Sequence, residues 1–349
     1  MSRLEAALAL VRIDSVSRHE AALATFVEGR LRTGAHLEVE RVGDNVVART
    51  SGHHATRVLV AGHLDTVPGD LTSARLEGDN LYGLGATDMK ASLSVMLELA
   101  LDPSPRSVEV TWVFYAREEI ARRESGLVEL AELRPDLLAA DVAVLGEPTA
   151  GAVEAGCQGS MRVAVVLHGV RAHTARPHQG RNAIHRLAGL LELVAGYEPR
   201  VVSLDEVTYV EQLQAVAVEG GVAGNVVPDV ARVVLNHRVA PDRDRVSAQA
   251  WLTSFLDDVI EETDEIEFLD WSAPAAPSLS NERLRALVGL TGRPVRAKVG
   301  WTDVATFAEA GIPATNFGAG DPLLAHTSDE VVSASELDEY ARVLGEWLR

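Results

Sequence analysis

Three predicted strands of this chain run directly into ionisable side chains, and this repeated pattern constrains the fold more than any other feature. The strands, with the side chains that follow them, are residues 57–61 with His63, residues 108–115 with Glu118 and Glu119, and residues 142–145 with Glu147. Continuous apolar runs of this length are typical of buried strands. Since ligands bind at the edge of an α/β sheet where such strands end, we expect these side chains to lie close together.

Helical patterns separate these strands, which predicts an α/β fold with a mixed sheet. Residues 3–33 show two amphipathic helices, and Ser17 with Glu20 is predicted to form a capping box at the start of the second. A hairpin is predicted at residues 37–42 and 46–50, because the Gly-Asp-Asn sequence between them favours a turn.

Residues 160–270 follow a different order, which predicts a separate inserted domain. The predicted elements run strand, helix, strand, strand, helix, strand, which suffices for a four-stranded antiparallel sheet with two helices on one face, a ferredoxin-like arrangement. We predict that residues 158–271 form this domain. Residues 1–157 and 272–349 are then predicted to form one discontinuous α/β domain.

The charge balance excludes two classes of partner. The chain of 349 residues has a formal net charge of −19, which would repel phosphate backbones and anionic lipid, so neither nucleic acid nor a membrane surface is an expected partner. The single cysteine, Cys157, allows no intrachain disulfide and leaves the redox compartment open. The amino-terminal residues alternate charged with apolar side chains, unlike a signal peptide, and a cytoplasmic protein is expected.

Another carboxylate and another imidazole join the ionisable set. Asp88 follows a glycine-rich turn just before a predicted helix, and His326 lies in a predicted loop. Together the histidines and carboxylates form a nitrogen and oxygen set that suits Zn²⁺ or a related divalent ion. Asp65, two residues after the first histidine, is expected to orient that imidazole through its carboxylate. An adjacent acid pair such as Glu118 and Glu119, considered alone, would favour a solvated helix start instead.

With these residues the sequence closely resembles the co-catalytic zinc aminoacylase and carboxypeptidase family. The matching segments are residues 62–68 (GHLDTVP), 85–90 (GATDMK), Glu118 with Glu119, 146–149 (GEPT) and 325–327 (AHT). They span nearly the whole chain, and together they are highly specific although each alone is weak. The resemblance implies a mixed-sheet catalytic domain of the zinc aminopeptidase and carboxypeptidase type, and a homodimer formed through an inserted lid domain.

The resemblance also implies a role for each ligand. The implied roles are Asp88 as the bridge between two zinc ions, His63 with Glu147 completing one site, and Glu119 with His326 completing the other. Co²⁺ or Mn²⁺ could replace zinc. Glu118 is implied to be the general base, which takes a proton from a water molecule between the two ions and later protonates the departing amine. The peptide bond between Asp88 and Met89 is expected to be cis.

The inserted domain is expected to supply substrate contacts. His173 matches the family's lid histidine, which in dimeric members reaches the active site of the neighbouring subunit. Without that resemblance it would be a surface histidine, as His53, His54 and His185 are expected to be. The side chains predicted to bind substrate are Asn225, Arg238, Ser160 and Thr302. Arg238 suits a carboxylate because its guanidinium can donate two parallel hydrogen bonds, but a cross-strand ion pair is an equal alternative.

Hydrolysis of the amide bond of a small anionic N-acyl amino acid is the expected activity. The glycine-rich segments at residues 156–160, 220–225 and 300–303 resemble those of members that remove a succinyl group from a diamino dicarboxylic acid in lysine and cell-wall synthesis. Hydrolysis of acetylornithine, of another N-acyl amino acid or of a small peptide remains open within the family. A homologue that binds a ligand or metal without catalysis is a further alternative.

Overall fold

The computed structural model describes residues 2–52, 54–70 and 72–349, which form two compact units. The larger unit contains the chain up to Gly156, Pro277–Lys298 and Thr302–Arg349, and the smaller unit contains Cys157–Ala276 and Val299–Trp301. Each unit combines helices with a sheet and has its own hydrophobic core. The predicted α/β class with a large mixed sheet is confirmed.

Helices and strands alternate along most of the chain. The helices are α1 (Arg3–Val11), α2 (Ala21–Leu31), α3 (Ala91–Leu101), α4 (Gly126–Leu133), α5 (Pro135–Leu138), α6 (Ala183–Ala195), α7 (Arg245–Leu256), α8 (Glu282–Thr291), α9 (Val304–Glu309) and α10 (Ala334–Trp347). The strands are β1 (Leu37–Val42), β2 (Asn45–Thr50), β3 (Arg57–His63), β4 (Arg75–Glu77), β5 (Asn80–Tyr82), β6 (Glu109–Tyr115), β7 (Val142–Leu145), β8 (Glu154–Ala155), β9 (Gly159–His168), β10 (Ala172–His173), β11 (Val201–Leu204), β12 (Val207–Val210), β13 (Gln212–Gly220), β14 (Val226–Val227), β15 (Val230–Val239), β16 (Glu265–Ser272), β17 (Arg296–Ala297), β18 (Ala314–Asn316) and β19 (Val331–Ser333).

An eight-stranded mixed sheet forms the centre of the larger unit, in the order β1, β2, β6, β3, β7, β18, β8, β17. Strands β6, β3, β7 and β18 are parallel neighbours, so their carboxyl ends lie at one edge of the sheet. Nearly every side chain of β3 and β6 is buried, which is typical of strands that are covered on both faces. The ionisable residues that follow these strands are thereby delivered to a common edge.

The amino-terminal part of the larger unit confirms one local prediction and corrects another. The predicted hairpin is present as β1 and β2, with Gly43 at a φ of 58° in its turn, a conformation that glycine adopts without strain. The predicted capping box at Ser17 is wrong, because α2 begins at Ala21 without a side-chain cap. The Ser17 hydroxyl instead donates a hydrogen bond to Oδ2 of Asp65 at 2.7 Å. The hydroxyl that would have accepted a main-chain N–H in the capping box therefore donates to a carboxylate from a distant segment.

A four-stranded antiparallel sheet, in the order β13, β15, β9, β16, forms the smaller unit. Leu187 of α6 and Leu252 of α7 share one core with Val163 and Val233 of the sheet, so both helices cover the same face. The predicted order of strands and helices is confirmed. The hairpin of β11 with β12 and the short pairing of β10 with β14 were not predicted. Among the described residues, no helix combines the length and apolar character that crossing a membrane requires.

Candidate metal centre

The predicted ligands of the larger unit meet at the carboxyl edge of its sheet. His63 is the last residue of β3 and lies opposite Tyr115, the last residue of β6, in parallel register. Glu118 and Glu119 follow β6, whereas Glu147 follows β7, which pairs with the other side of β3. The strand order therefore places the first histidine between the two acidic segments.

Asp88 lies at the centre of the group and presents one carboxylate oxygen to each histidine. Its Oδ1 atom is 2.9 Å from Nε2 of His63, and its Oδ2 atom is 3.5 Å from Nε2 of His326. The residue belongs to a π-helical turn, Ala86–Lys90, that leads into α3. The Asp88–Met89 peptide bond is cis, as the family resemblance implied. One carboxylate approached by two imidazoles through different oxygens has the arrangement of a ligand shared by two metal ions.

A further carboxylate accompanies each histidine. Oε1 of Glu119 is 2.8 Å from Nε2 of His326, and Oε1 of Glu147 is 3.9 Å from Nε2 of His63. Ligand atoms of His63, Asp88 and Glu119 all lie within 4.8 Å of one another. Glu147 is buried, and its Oε1 atom has no hydrogen-bond partner among the described residues. A buried oxygen without a partner is energetically costly, and a cation beside it would remove that cost.

Asp65 organises the segment that carries Glu118 and Glu119. Its Oδ1 atom accepts the main-chain N–H of Glu118 and its Oδ2 atom accepts that of Glu119, both at 3.0 Å. The ring of His63 contacts a different atom, because its Nδ1 is 3.0 Å from the main-chain oxygen of Asp65 and 3.6 Å from the carboxylate. The sequence predicted only an orienting role towards the histidine, through the carboxylate. In the structure the main chain of Asp65 orients the histidine and its carboxylate fixes the acid pair.

The site concentrates negative charge in a buried environment. Burial, together with the neighbouring Glu147 carboxylate, raises the pKa of Glu118 well above its ordinary value. Burial beside Asp88 raises the pKa of Glu147 to about 7. Hydrogen bonds to Asp88 and Glu119 raise the pKa of His326 to about 10. Divalent cations would stabilise the ionised carboxylates against this mutual repulsion.

These residues fit a metal centre with nitrogen and oxygen ligands. Imidazole and carboxylate groups at one buried edge are the donors that zinc and related divalent ions use in proteins. The alternative interpretation of Glu118 and Glu119 as a solvated pair at a helix start is wrong. Helix α4 begins only at Gly126, and the Glu119 side chain is 7% exposed.

The candidate substrate residues of the smaller unit form two pairs. His173 lies in β10, and the residue that follows it donates a main-chain hydrogen bond to Asn225 at 3.1 Å, so these two residues are close together. Arg238 of β15 lies opposite Ser160 of β9 in the antiparallel register, and both therefore project from the same face of the sheet. The Ser160 hydroxyl accepts a hydrogen bond from Nδ2 of Asn236 at 3.2 Å.

Two of the predicted substrate residues differ in how their polar groups are satisfied. Arg238 makes no ion pair and no side-chain hydrogen bond with any described residue, and burial lowers its pKa, so the alternative of a cross-strand ion pair is wrong. Thr302, in the larger unit, is 3% exposed and donates its hydroxyl to Oδ1 of Asn316 at 2.9 Å. This bond gives Thr302 a packing role, and its contact with substrate stays a prediction. The predicted surface histidines His54 and His185 are exposed, and His53 lies outside the described residues.

Three charged residues near the centre were not predicted: Glu154, Lys298 and Glu330. The Lys298 ammonium is 3.3 Å from Oε2 of Glu154, and the side chains of both are about nine-tenths buried. Oε2 of Glu330 accepts main-chain N–H groups of the turn that carries Asp88. None of the three belongs to a motif or a regular spacing of charged residues. The sequence therefore gave no indication of their roles, except that each lies beside a short apolar segment.

The fold and this ligand set define a metal-dependent hydrolase that acts on an amide bond. A model of one family, described as peptidase family M20/M25/M40, matches residues 59–349. The chain belongs to this family, which is metal-dependent.

Curated relatives and a solved structure extend over nearly the whole chain. The chain is 48% identical to the "Putative succinyl-diaminopimelate desuccinylase DapE" of Mycobacterium tuberculosis strain H37Rv, over 99% of this chain and 97% of that relative. It is 42% identical to the succinyl-diaminopimelate desuccinylase of Corynebacterium glutamicum, over 97% of this chain and 94% of that relative. The crystal structure of aminopeptidase PepT from Bacillus cereus matches with a TM-score of 0.80 over 99% of this chain and 97% of that chain; at 18% identity this likeness shows the fold.

Proposed function

We propose that the protein is a zinc-dependent amide hydrolase that splits N-succinyl-L,L-2,6-diaminopimelate into succinate and L,L-diaminopimelate, a reaction of lysine and peptidoglycan synthesis. The observation that carries the chemistry is the position of Asp88, whose two oxygens face different histidines. The substrate is supported by the names of the two curated relatives, at 48% and 42% identity. Arg238, which has no acidic partner in the part of the chain that the structure describes, suits a substrate with several carboxylates.

The centre suits two zinc ions, for which Co²⁺ or Mn²⁺ could substitute. We assign His63 and Glu147 to one ion, Glu119 and His326 to the other, and Asp88 to both. Two observations support this assignment: the buried Oε1 of Glu147 has no hydrogen-bond partner among the residues described, and the two histidines approach different oxygens of Asp88. When bound, such ions supply Lewis acidity, which lowers the pKa of water and polarises the amide carbonyl.

Glu118 is the proposed general base. Its carboxylate makes no hydrogen bond or ion pair with the described residues, while its main-chain N–H is held by Asp65 at 3.0 Å. The main chain of Glu118 is therefore fixed, while its carboxylate is available to accept a proton. Burial raises the pKa of this carboxylate, which makes it a stronger base towards water. Glu118 takes a proton from the attacking water and gives it to the nitrogen of the scissile amide, so that the amine departs neutral.

The other candidate residues are proposed to hold the substrate and the reacting carbonyl. Arg238 and Ser160 are assigned to its carboxylates, and Asn225 and Thr302 to other polar groups. His173 is assigned to the oxyanion in the active site of a second subunit. Its Nδ1 accepts the main-chain N–H of Ala175 at 3.0 Å, so in the neutral ring the proton is on Nε2, which can donate to an oxyanion.

We propose that the smaller unit is a lid and that it joins two copies of the chain. Strand β13 lies at an edge of its sheet, and the side chains of Val216 and Val218 are 57% and 54% exposed. An open strand edge with exposed apolar side chains is suited to pairing with a second copy about a two-fold axis. Sedimentation of the purified chain as a monomer at micromolar concentration would contradict this part of the proposal.

The proposed substrate is tested by comparing two rates with zinc supplied. We expect hydrolysis of succinyl-diaminopimelate to exceed that of acetylornithine in kcat/KM, and a chelator to abolish both. Faster turnover of acetylornithine would replace the proposed substrate by an alternative from the same family. Failure to hydrolyse either, with zinc bound, would leave another N-acyl amino acid, a small peptide or a non-catalytic homologue as the alternatives. The cytoplasmic location stays a prediction.

A further inference from the structure

We infer that Glu330 is a positioning residue that holds the loop of His326 against the turn of Asp88. The inference rests on the proposed function in one respect, namely that Asp88 and His326 bind metal. These two residues lie in distant parts of the sequence, so their approach depends on contacts between a carboxyl-terminal loop and an amino-terminal turn. Glu330 supplies the central contact.

The Glu330 carboxylate bonds directly to the main chain of the turn. The residue is 1% exposed, and its Oε2 atom accepts the N–H groups of Thr87 at 3.0 Å and of Asp88 at 3.2 Å. The main chain departs from helical geometry at Asp88, so a side-chain acceptor replaces the carbonyl that a regular helix would provide. One buried oxygen thus fixes the backbone of the shared ligand.

Further hydrogen bonds join the same two segments on either side of this contact. The N–H of Gly83 donates to the main-chain oxygen of Glu330 at 3.2 Å. The Thr87 hydroxyl donates to the main-chain oxygen of Val331 at 3.0 Å and accepts its N–H at 3.1 Å. Beyond this point β19 pairs antiparallel with β5. Glu330 is therefore the residue nearest to His326 on its carboxyl-terminal side that these hydrogen bonds attach to the turn.

His326 itself has few restraints. Its side chain is 50% exposed and its φ is 63°. Among the described residues, its ring forms polar contacts with the proposed ligands Glu119 and Asp88 only. A positive φ in an exposed loop is not a conformation that histidine favours by itself. The anchor at Glu330, four residues further on, therefore limits the positions that the imidazole can adopt, and the inferred role is to keep it opposite Oδ2 of Asp88.

Another buried carboxylate offers a control for general effects on folding. Glu109 is 5% exposed and accepts the Thr50 hydroxyl at 2.6 Å and the N–H of His54 at 3.3 Å. It begins β6, at the opposite edge of the sheet from the metal centre. Loss of the Glu109 carboxylate removes two hydrogen bonds, as loss of the Glu330 carboxylate does, but neither bond is made to a segment that carries a proposed metal ligand.

The test is a zinc titration of Glu330→Ala, Glu330→Gln and Glu109→Ala against a competing chelating indicator, with no substrate present. We expect Glu330→Ala to bind the more weakly held zinc ion about 10–100-fold less tightly, the usual effect of removing a group that orients a metal ligand. Glu330→Gln keeps a carbonyl oxygen to accept both N–H groups and should lie closer to the unmodified chain. Glu109→Ala should bind zinc as the unmodified chain does.

The outcomes separate this inference from the proposed function. Unchanged zinc affinity in Glu330→Ala, or an equal loss in Glu109→Ala, would overturn the role of Glu330 alone. Failure of the unmodified chain to bind zinc would overturn the proposed function and this inference together. If Glu330→Ala does not fold, Glu330→Asp replaces it, because this variant keeps the buried charge but withdraws the oxygen by one methylene. A zinc affinity equal to that of the unmodified chain in Glu330→Asp would again overturn the inference.

Discussion

The candidate metal centre of the larger unit and Arg238, on the sheet face of the smaller unit that also carries Ser160, differ in how their charged side chains are paired. In the centre, His63 lies 2.9 Å from Asp88, and His326 lies 2.8 Å from Glu119. On the sheet face, Arg238 is partly buried and has no acidic partner among the described residues. The first region contains imidazole and carboxylate donors that could hold cations. The second contains a partly buried cation, which we propose to pair with an anion from outside the chain.

Removal of the proposed base should have the largest effect. We expect Glu118→Ala to lower kcat by a factor on the order of 10³, because proton transfer in both steps then falls to water. Its zinc content, measured by mass spectrometry of the dialysed protein, should not change, since no metal ligand is lost. Retention of the full rate would remove Glu118 from the mechanism.

The neighbouring acid provides the matched control. Glu119→Ala should lose zinc, because the partner of His326 is removed from the ligand set. A variant that kept all of its zinc would show that Glu119 is not a ligand. The pair of variants therefore separates the base from the metal site within one dipeptide.

His173→Ala tests whether the smaller unit completes the active site. We expect a fall in kcat of about 10²-fold, the usual consequence of losing one oxyanion donor, with the circular dichroism spectrum unchanged. Mixed dimers of His173→Ala and Glu118→Ala chains should regain activity, because one of the two sites then has both residues. Absence of recovery in verified mixed dimers would place the histidine in its own subunit's site.

Arg238 tests whether the sheet face binds an anion. We expect Arg238→Ala to raise KM for the succinyl substrate by about 10–100-fold, and Arg238→Lys to recover little of this loss, since lysine cannot donate two parallel hydrogen bonds. Arg232→Ala is the control on the same strand, because Arg232 is 3.7 Å from Glu267 and already has an acidic partner. Equal effects of the two alanine variants would contradict a specific role for Arg238.

Ser17 should give the smallest effect. Ser17→Ala removes the hydroxyl bonded to Asp65 at 2.7 Å, and we expect the free energy of unfolding to fall by about 1 kcal/mol. The rate should fall less than about ten-fold, because Asp65 keeps both main-chain bonds to the acid pair. Urea denaturation and steady-state kinetics measure the two quantities. An unchanged unfolding energy would show that solvent replaces the hydroxyl.

The sequence predicted what depends on short segments and failed where distant segments meet. His63, Glu118 and Glu147 could be placed because each follows a recognisable strand, and the parallel order then brings them together. The prediction that Ser17 caps a helix was wrong, because its hydroxyl binds a carboxylate from another part of the chain. Glu330 was missed because its partners are main-chain groups more than two hundred residues away, which no side-chain pattern records.

The smaller unit shows the same division. Its long strands and both helices were predicted from apolar patterns. Strands β11 and β12 were missed because they are partly exposed and lack the buried apolar run that identified β7, which also has four residues. Arg238 was placed on a strand correctly. Whether it has an ion partner depends on which residues the neighbouring strands present, and the described ones present none. Register is set by the assembled sheet and cannot be obtained from one strand.

Asp65 binds two consecutive main-chain N–H groups, so the role of each acid depends on its position along the chain. Glu118 and Glu119 carry the same side chain, so only their order distinguishes the proposed general base from the proposed metal ligand. Deletion of one codon between Tyr115 and Glu118 would move Glu119 into the first place and leave Ile120 in the second. A frame-preserving deletion in this segment should therefore damage the enzyme as severely as the loss of either acid.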